Sequence, residues 1–194
     1  WQAYPERGRL IYQDENGLLD LPPPRLPGRH QFTNAGTAVA TLRRAGLGLT
    51  RAAFEAGLLT VEGPARLQSL SSGALSAQLP KAEIWLDGGH NPAAGQVIAE
   101  AMADLEERAP KPLVLISGML NTKEPVGFFR PFAGLARTVY TVPVPGAPAS
   151  RSAEDLAAAA TAAGLSARTA TNVPAALGAI AAEGISLPPR VLIC

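Results

Sequence analysis

From residue 63 onward the sequence predicts an α/β fold: a Rossmann-like, mostly parallel sheet with flanking helices. Short apolar runs of strand length alternate with segments of helical periodicity, and the junctions between them hold Gly, Pro or Asn. The helix ends carry their own signals. Ser152 with Asp155 resembles a capping box, Asn172 precedes Val173 and Pro174, and Gly164 and Gly184 stand where helices stop. Repeated strand–helix–strand units with right-handed crossovers give a parallel sheet covered on both faces. Hydrophobic residues make up 47% of the chain but aromatics only 5%, so the packing between layers falls to Ala, Leu and Val.

Taken in order, residues 9–12 and 18–21 read as two strands around a Glu15-Asn16-Gly17 turn, ahead of the triple proline Pro22, Pro23, Pro24. Two strands cannot bury a core by themselves. Phe32, Ala35, Val39 and Leu42 then mark a helix that stops near Gly46, and Thr50 is placed to cap a second helix running to about residue 59. Residues 1–62 therefore read as the tail end of a larger domain, and 63–194 as the Rossmann-like domain. In the latter, strands are expected at 65–69, 76–79, 83–87, 113–117, 138–142, 167–169 and 190–193. Helices are expected at 92–108, 125–135, 153–163 and 174–183. The first residue is Trp and the last four, Val-Leu-Ile-Cys, look like an unfinished strand, so the expectation is a fragment of a longer protein.

Composition narrows the function. The formal charge is +1, from 17 basic and 16 acidic side chains scattered along the chain, with no basic block suited to a phosphate backbone or an anionic membrane. No nucleic-acid or membrane partner is expected, and no apolar run reaches the roughly 18 residues a bilayer span requires. One cysteine, Cys194, excludes an internal disulfide framework and a cysteine zinc site, which suits a reducing cytoplasm. Its place at the end of an apolar run reads as a buried strand residue rather than a nucleophile.

The most informative stretch is Leu86-Asp-Gly-Gly-His-Asn-Pro92, at the carboxyl end of an expected strand and the start of an expected helix. Ligands of open α/β sheets bind at such ends. Gly88 and Gly89 permit a tight turn, Asn91 can cap the helix, and Pro92 suits its first position. The helix start then favours an anion, Asp87 can accept from two ribose hydroxyls, and His90 can donate to a phosphate oxygen. The same residues can equally do no more than satisfy backbone donors in a strand-to-helix turn. The G-x-G-x-x-G dinucleotide spacing is absent.

Three ordered stretches resemble one family. Leu86 to Pro92 is similar to the L-D-G-A-H-N-P signature of folylpolyglutamate and dihydrofolate synthases, members of the ATP-dependent Mur ligase superfamily. Gly28-Arg-His-Gln-Phe-Thr-Asn-Ala35 resembles that family's G-x-H-Q-x-x-N-A, and Pro64-Ala-Arg-Leu-Gln68 its P-G-R-L-Q/E. Residues 117–124, SGMLNTKE, resemble the G-M-x-x-D-K-D segment, and VLIC resembles the start of the final strand. Two departures stand out: Gly89 replaces alanine, and Ala65 replaces the glycine before the arginine.

The resemblance implies a C-terminal portion of an ATP-dependent, amide-forming ligase that joins L-glutamate to dihydropteroate or a reduced folate through an acyl phosphate. Residues 1–62 would be the remnant of its central ATP-binding domain. By position, Asn34 aligns with the asparagine near adenine, Arg66 with the arginine at the triphosphate, Asp87 with the ribose aspartate, and His90 with a histidine at the phosphate end. Lys123 is a candidate to approach the reacting carboxylate or phosphate, and Arg151 to pair with the incoming glutamate. His30 is expected to orient its loop, and the acidic cluster Asp104, Glu106 and Glu107 to be a solvent face rather than a metal site. The only lysines, Lys81, Lys111 and Lys123, do not follow glycine, so no P-loop exists here and this chain alone is expected to be inactive. ATP and magnesium would be held mainly by the domain that precedes it, in a cytoplasmic monomer. A peptidoglycan-precursor ligase fragment and a non-catalytic nucleotide-binding module remain as alternatives.

Overall fold

The computed structural model describes residues 1–194, which form two compact units, residues 1–64 and 65–194. Each is described by itself. In the first, β1 (Gln2–Glu6), β2 (Arg9–Asp14) and β3 (Gly17–Leu21) make an antiparallel meander, followed by α1 (His30–Arg44) and α2 (Arg51–Thr60). Leu10, Tyr12 and Leu21 meet Ala35 and Val39 of α1 and Phe54 and Leu58 of α2 in one small core. Thr50 caps α2 by accepting the Ala53 N–H at 3.3 Å. The sequence predicts two strands here, and the structure adds β1. That strand is an edge, mostly exposed and interrupted by Pro5, so it lacks the alternation that marks a half-buried strand.

The second unit is a six-stranded sheet. Its elements are β4 (Gln68–Ser69), α3 (Ala74–Gln78), β5 (Glu83–Leu86), α4 (Pro92–Arg108), β6 (Leu113–Ser117), α5 (Pro125–Phe129), β7 (Ala136–Thr141), α6 (Ala153–Ala162), β8 (Ala167–Thr169), α7 (Val173–Ala182) and β9 (Arg190–Ile193). The strand order is β4-β5-β9-β6-β7-β8, parallel throughout except for β4. Side chains alternate across the sheet as strand geometry requires. Leu113, Leu115, Val139 and Leu192 pack under α4, α5 and α6, while Val114, Ile116, Tyr140, Val191 and Ile193 pack under α3 and α7. The α/β class and the mostly parallel sheet are those the sequence predicts. Asn91, Ser152 and Asn172 cap α4, α6 and α7 through the N–H groups of Ala94, Asp155 and Ala175.

Residues 76–79 are not a strand. Gly73 opens the short helix α3, whose Leu75 lies four residues before Leu79, and both pack on the α7 side of the sheet. Helix formers at 74, 75, 77 and 78 decide the local conformation. The expected strand at 65–69 contracts to β4 because Ala65 and Leu67 have φ of 52° and 45°, which breaks the extended backbone. The expected helix at 125–135 is α5 followed by a 3-10 turn, Arg130–Phe132.

At the amino ends of the central strands lies an ionic cluster. Arg190, 2% exposed, binds Glu83 at 2.9 Å and donates to the Ala109 carbonyl at 3.1 Å, at the end of α4. Lys111 binds the other oxygen of Glu83 at 2.8 Å. The carboxyl ends, where Asp87 stands, are at the opposite edge.

Candidate functional site

The carboxyl edge of the sheet is built from the ends of β5, β9 and β6. The Asp87 N–H donates to the Ile193 carbonyl, and the Gly118 N–H to the Cys194 carbonyl. Asp87 is half-buried, and its two carboxylate oxygens face different segments. Oδ1 accepts the Gly89 N–H at 2.7 Å, and Oδ2 accepts the Leu67 N–H at 2.8 Å. A third bond runs the other way, from the Gly88 N–H to the Ala65 carbonyl at 2.8 Å. The turns at 65–67 and 87–89 are thus tied to each other, in continuation of the antiparallel pairing of Gln68 with Leu86.

Arg66 sits between the two tied residues. It is exposed and forms no hydrogen bond or ion pair, whereas Leu67 beside it is 3% exposed and anchors the turn in the core. Left-handed backbone costs a non-glycine residue about 1–2 kcal/mol. A hydrogen bond to a charged acceptor contributes about 1.5–3 kcal/mol, and the buried leucine side chain about 1.5–3 kcal/mol. The turn is held against its strain by these terms. Each carboxylate oxygen has a second lone pair, so Asp87 retains capacity for two further donors such as a diol.

His90 is exposed and its Nδ1 donates to the Gly88 carbonyl at 2.8 Å. That bond puts the lone pair of the neutral ring on Nε2. Only the protonated ring can donate from Nε2 to an anion, a condition the residue type alone did not reveal. Asn91 takes the Ala94 N–H and Pro92 has none, so fewer first-turn donors of α4 are open to an anion than the sequence suggests.

Gly89 does not have positive φ; its lack of a side chain is a matter of space. A Cβ there would lie 2.4 Å from Ile98 Cδ1 and 3.0 Å from both Ala94 Cβ and Asp87 Oδ1. The isoleucine fills the room an alanine methyl would take.

Lys123 and Arg151 come together in the neighbouring loops after β6 and β7. Arg151 Nη2 donates to the Asn121 and Lys123 carbonyls at 3.1 and 3.3 Å, and its backbone N–H donates to the Met119 carbonyl. Arg151 therefore braces the loop that carries Lys123, a role the sequence did not signal. β6 lies two positions from β5, an offset of about 10 Å at the usual strand spacing. Burial pushes the Cys194 thiol up to about 12, so it is held as the thiol at neutral pH.

Asn34 belongs to the first unit. It is exposed, and its amide donates to Gln31 Oε1 at 3.1 Å; Gln31 is itself buried and bonded to His30 Nε2. Gln31 and Asn34 are the polar side chains of an otherwise apolar cavity of about 330 Å³ walled by Val39, Leu42, Phe54 and Leu58. A larger concavity in the same unit, about 770 Å³, contains none of the predicted residues. Its Arg43 and Arg44 are paired with Asp14 and Glu15 at 3.0 and 3.6 Å. At position 28, φ is 106° and a Cβ would lie 2.6 Å from the His30 ring, so glycine there lets His30 fold back on its own turn.

No family model matches the chain. It is 31% identical over 145 residues to folylpolyglutamate synthase of Lacticaseibacillus casei, an alignment covering 72% of this chain and 31% of that protein. Among solved structures it matches E. coli FolC in complex with ADP at a TM-score of 0.77 and 25% identity, over 100% of this chain and 43% of that one. It also matches the Yersinia pestis bifunctional folylpolyglutamate synthase/dihydrofolate synthase complexed with AMPPNP and Mn, at a TM-score of 0.74 and 26% identity, over 96% of this chain and 40% of that one. The chain spans about a third of the length of the curated relative and about two fifths of the solved ones. The sheet, its strand-end turn and these likenesses define a C-terminal portion of the Mur ligase superfamily type. Within that superfamily, the chain belongs to the folylpolyglutamate synthase/dihydrofolate synthase family.

Proposed function

We propose that this chain is the C-terminal part of an ATP-dependent ligase that adds L-glutamate to dihydropteroate or a reduced folate. The carrying observation is the tied pair of turns, which puts an exposed, unpaired Arg66 beside an Asp87 carboxylate with open lone pairs at the carboxyl edge of the sheet. In this reading Asp87 accepts from the ribose hydroxyls, Arg66 meets the phosphates, and His90 donates to a phosphate oxygen from Nε2 when protonated. Asn34 reads the edge of adenine, a role supported by the apolar cavity its amide borders. Residues 1–62 are then the remnant of the central ATP-binding domain, and 63–194 the family's C-terminal domain.

The chemistry needs two steps. A carboxylate oxygen of the pterin substrate attacks the γ-phosphorus and ADP leaves; the glutamate amine then attacks the acyl carbon, phosphate leaves, and the amine loses a proton. Lys123 offsets negative charge at the reacting groups, and Arg151 serves the glutamate carboxylate through the guanidinium edge that does not brace its loop. In this reading magnesium is held mainly by the ATP-binding domain that precedes this portion of the enzyme. We assign the complete enzyme to the cytoplasm as a monomer, a reading supported by the scattered charge and single cysteine of this portion; no helix here is long and apolar enough to cross a membrane.

The test is ADP release by the full-length protein, with L-glutamate and either dihydropteroate or tetrahydrofolate, in wild type and Asp87→Ala. Release that needs both co-substrates and drops at least a hundredfold in the variant is expected. Release indifferent to the pterin acceptor, or untouched by the substitution, would overturn the reading.

A further inference from the structure

Asp87 has an occupation that nucleotide contact does not explain. Its Oδ2 accepts the N–H of Leu67, twenty residues earlier, while Oδ1 accepts the N–H of Gly89 in its own turn. The Gly88 N–H returns a bond to the Ala65 carbonyl. Backbone groups on both sides of Arg66 are therefore fastened to the Asp87 turn, one of them to the carboxylate itself. Ala65 and Leu67, with φ of 52° and 45°, are in a conformation that neither residue adopts without external restraint. Between them Arg66 has a fixed backbone and a side chain with no partner in the protein.

We infer that Asp87 is the positioning residue for Arg66: its carboxylate holds the 65–67 turn in the left-handed form that projects the guanidinium, separately from any contact with a ribose. The same anion takes the Leu67 N–H and has lone pairs left for a diol. Loss of the carboxylate then frees the Leu67 amide and lets Ala65 and Leu67 relax to ordinary backbone, and the guanidinium loses its fixed origin. The functional consequence rests on the proposed nucleotide reading; the structural tie does not.

Adenosine and ATP separate the two roles, because a ribose contact is common to both and a phosphate contact belongs only to ATP. On the full-length protein, dissociation constants for both ligands are measured in wild type, Asp87→Ala, Arg66→Ala and the double variant. Amide hydrogen exchange is followed in the same proteins without ligand. Asp87→Ala is expected to speed exchange at the Leu67 amide at least tenfold while the amides of β6 stay protected. It should also cut the preference for ATP over adenosine at least tenfold, and change that preference less than twofold once Arg66 is already alanine. Equal weakening of adenosine and ATP by Asp87→Ala, or a Leu67 amide that stays protected, would overturn the inference while the nucleotide reading stands. An ATP affinity indifferent to Arg66→Ala would overturn both. Asp87→Leu, which keeps the branched shape and offers no acceptor, replaces the alanine variant if that one fails to fold, with the same expectations.

Discussion

Ala65 occupies left-handed backbone at φ 52° where the family signature has glycine, and the two neighbours of Arg66 share this strain. Restoring glycine should relieve more than the chain entropy it adds, so Ala65→Gly is expected to stabilise the protein by about 1 kcal/mol, a rise of roughly 2–4 °C in thermal midpoint. An unchanged or lower midpoint in calorimetry would show that the turn is not strained. Gly89 presents the reverse case. Gly89→Ala drives a methyl into Ile98 Cδ1 and is expected to cost about 1–3 kcal/mol, most of it recovered when Ile98→Val is added. A double variant no better than the single one would reject the steric account. At this scale the sequence marks the candidate residues but not their contacts. Asp87, Arg66 and His90 stood out in the motifs, whereas the Leu67 N–H, a backbone group identical in every residue but proline, left no mark. The tautomer of His90 depends on the Gly88 carbonyl, which likewise has no signature in residue type.

Helix α4 shows how the same residue type carries opposite meanings within elements. Gly95 lies where a Cβ would come within 2.3 Å of the Phe128 carbonyl oxygen and 3.0 Å of its Cα, so α4 and α5 touch backbone to backbone there. Gly178, inside α7, has nothing within 4 Å of that position. Gly95→Ala is therefore expected to destabilise by about 1–3 kcal/mol, and Gly178→Ala to stabilise by about 0.5–1 kcal/mol through helix propensity. Paired urea titrations decide the matter, and effects of the same sign would reject the packing argument. Nothing in the sequence distinguishes the two glycines, since the close approach is made by a residue 33 positions away. Long elements with capping side chains, such as α4 from Asn91 and α6 from Ser152, were legible because their signals are local. Residues 76–79 are the end of a helix rather than the expected strand, because a stretch of four is too short for period to separate the two and the helical spacing of Leu75 and Leu79 begins one residue before it.

Across the whole second unit, the ionic cluster and the candidate site occupy opposite ends of the sheet. Burial tends to raise the Glu83 carboxyl, but hydrogen bonds and charge from Lys111 and Arg190 outweigh it and hold Glu83 below its ordinary value of 4.5. A carboxyl lowered in the folded state gives stability that is fully present above that ordinary value and lost as pH falls through the lowered one. Glu83→Gln is expected to reduce stability at neutral pH and to flatten the acid limb of the midpoint-against-pH curve; an acid limb as steep as wild type would place the acid sensitivity elsewhere. The sheet's strand order was not legible at all, because apolar runs reveal strands but not their neighbours. That order puts β9, the last element of the chain, between β5 and β6, so that Leu86 pairs with Ile193 and Leu115 with Leu192. During synthesis β9, the inner partner of β5, emerges more than a hundred residues after β5 itself. Until then the growing chain has two incomplete sheets with open inner edges, which are ready templates for pairing with other chains. A nascent chain that holds β8 but not yet β9 exposes those edges together, and the arrival of residues 190–193 decides whether the domain closes or seeks a foreign strand.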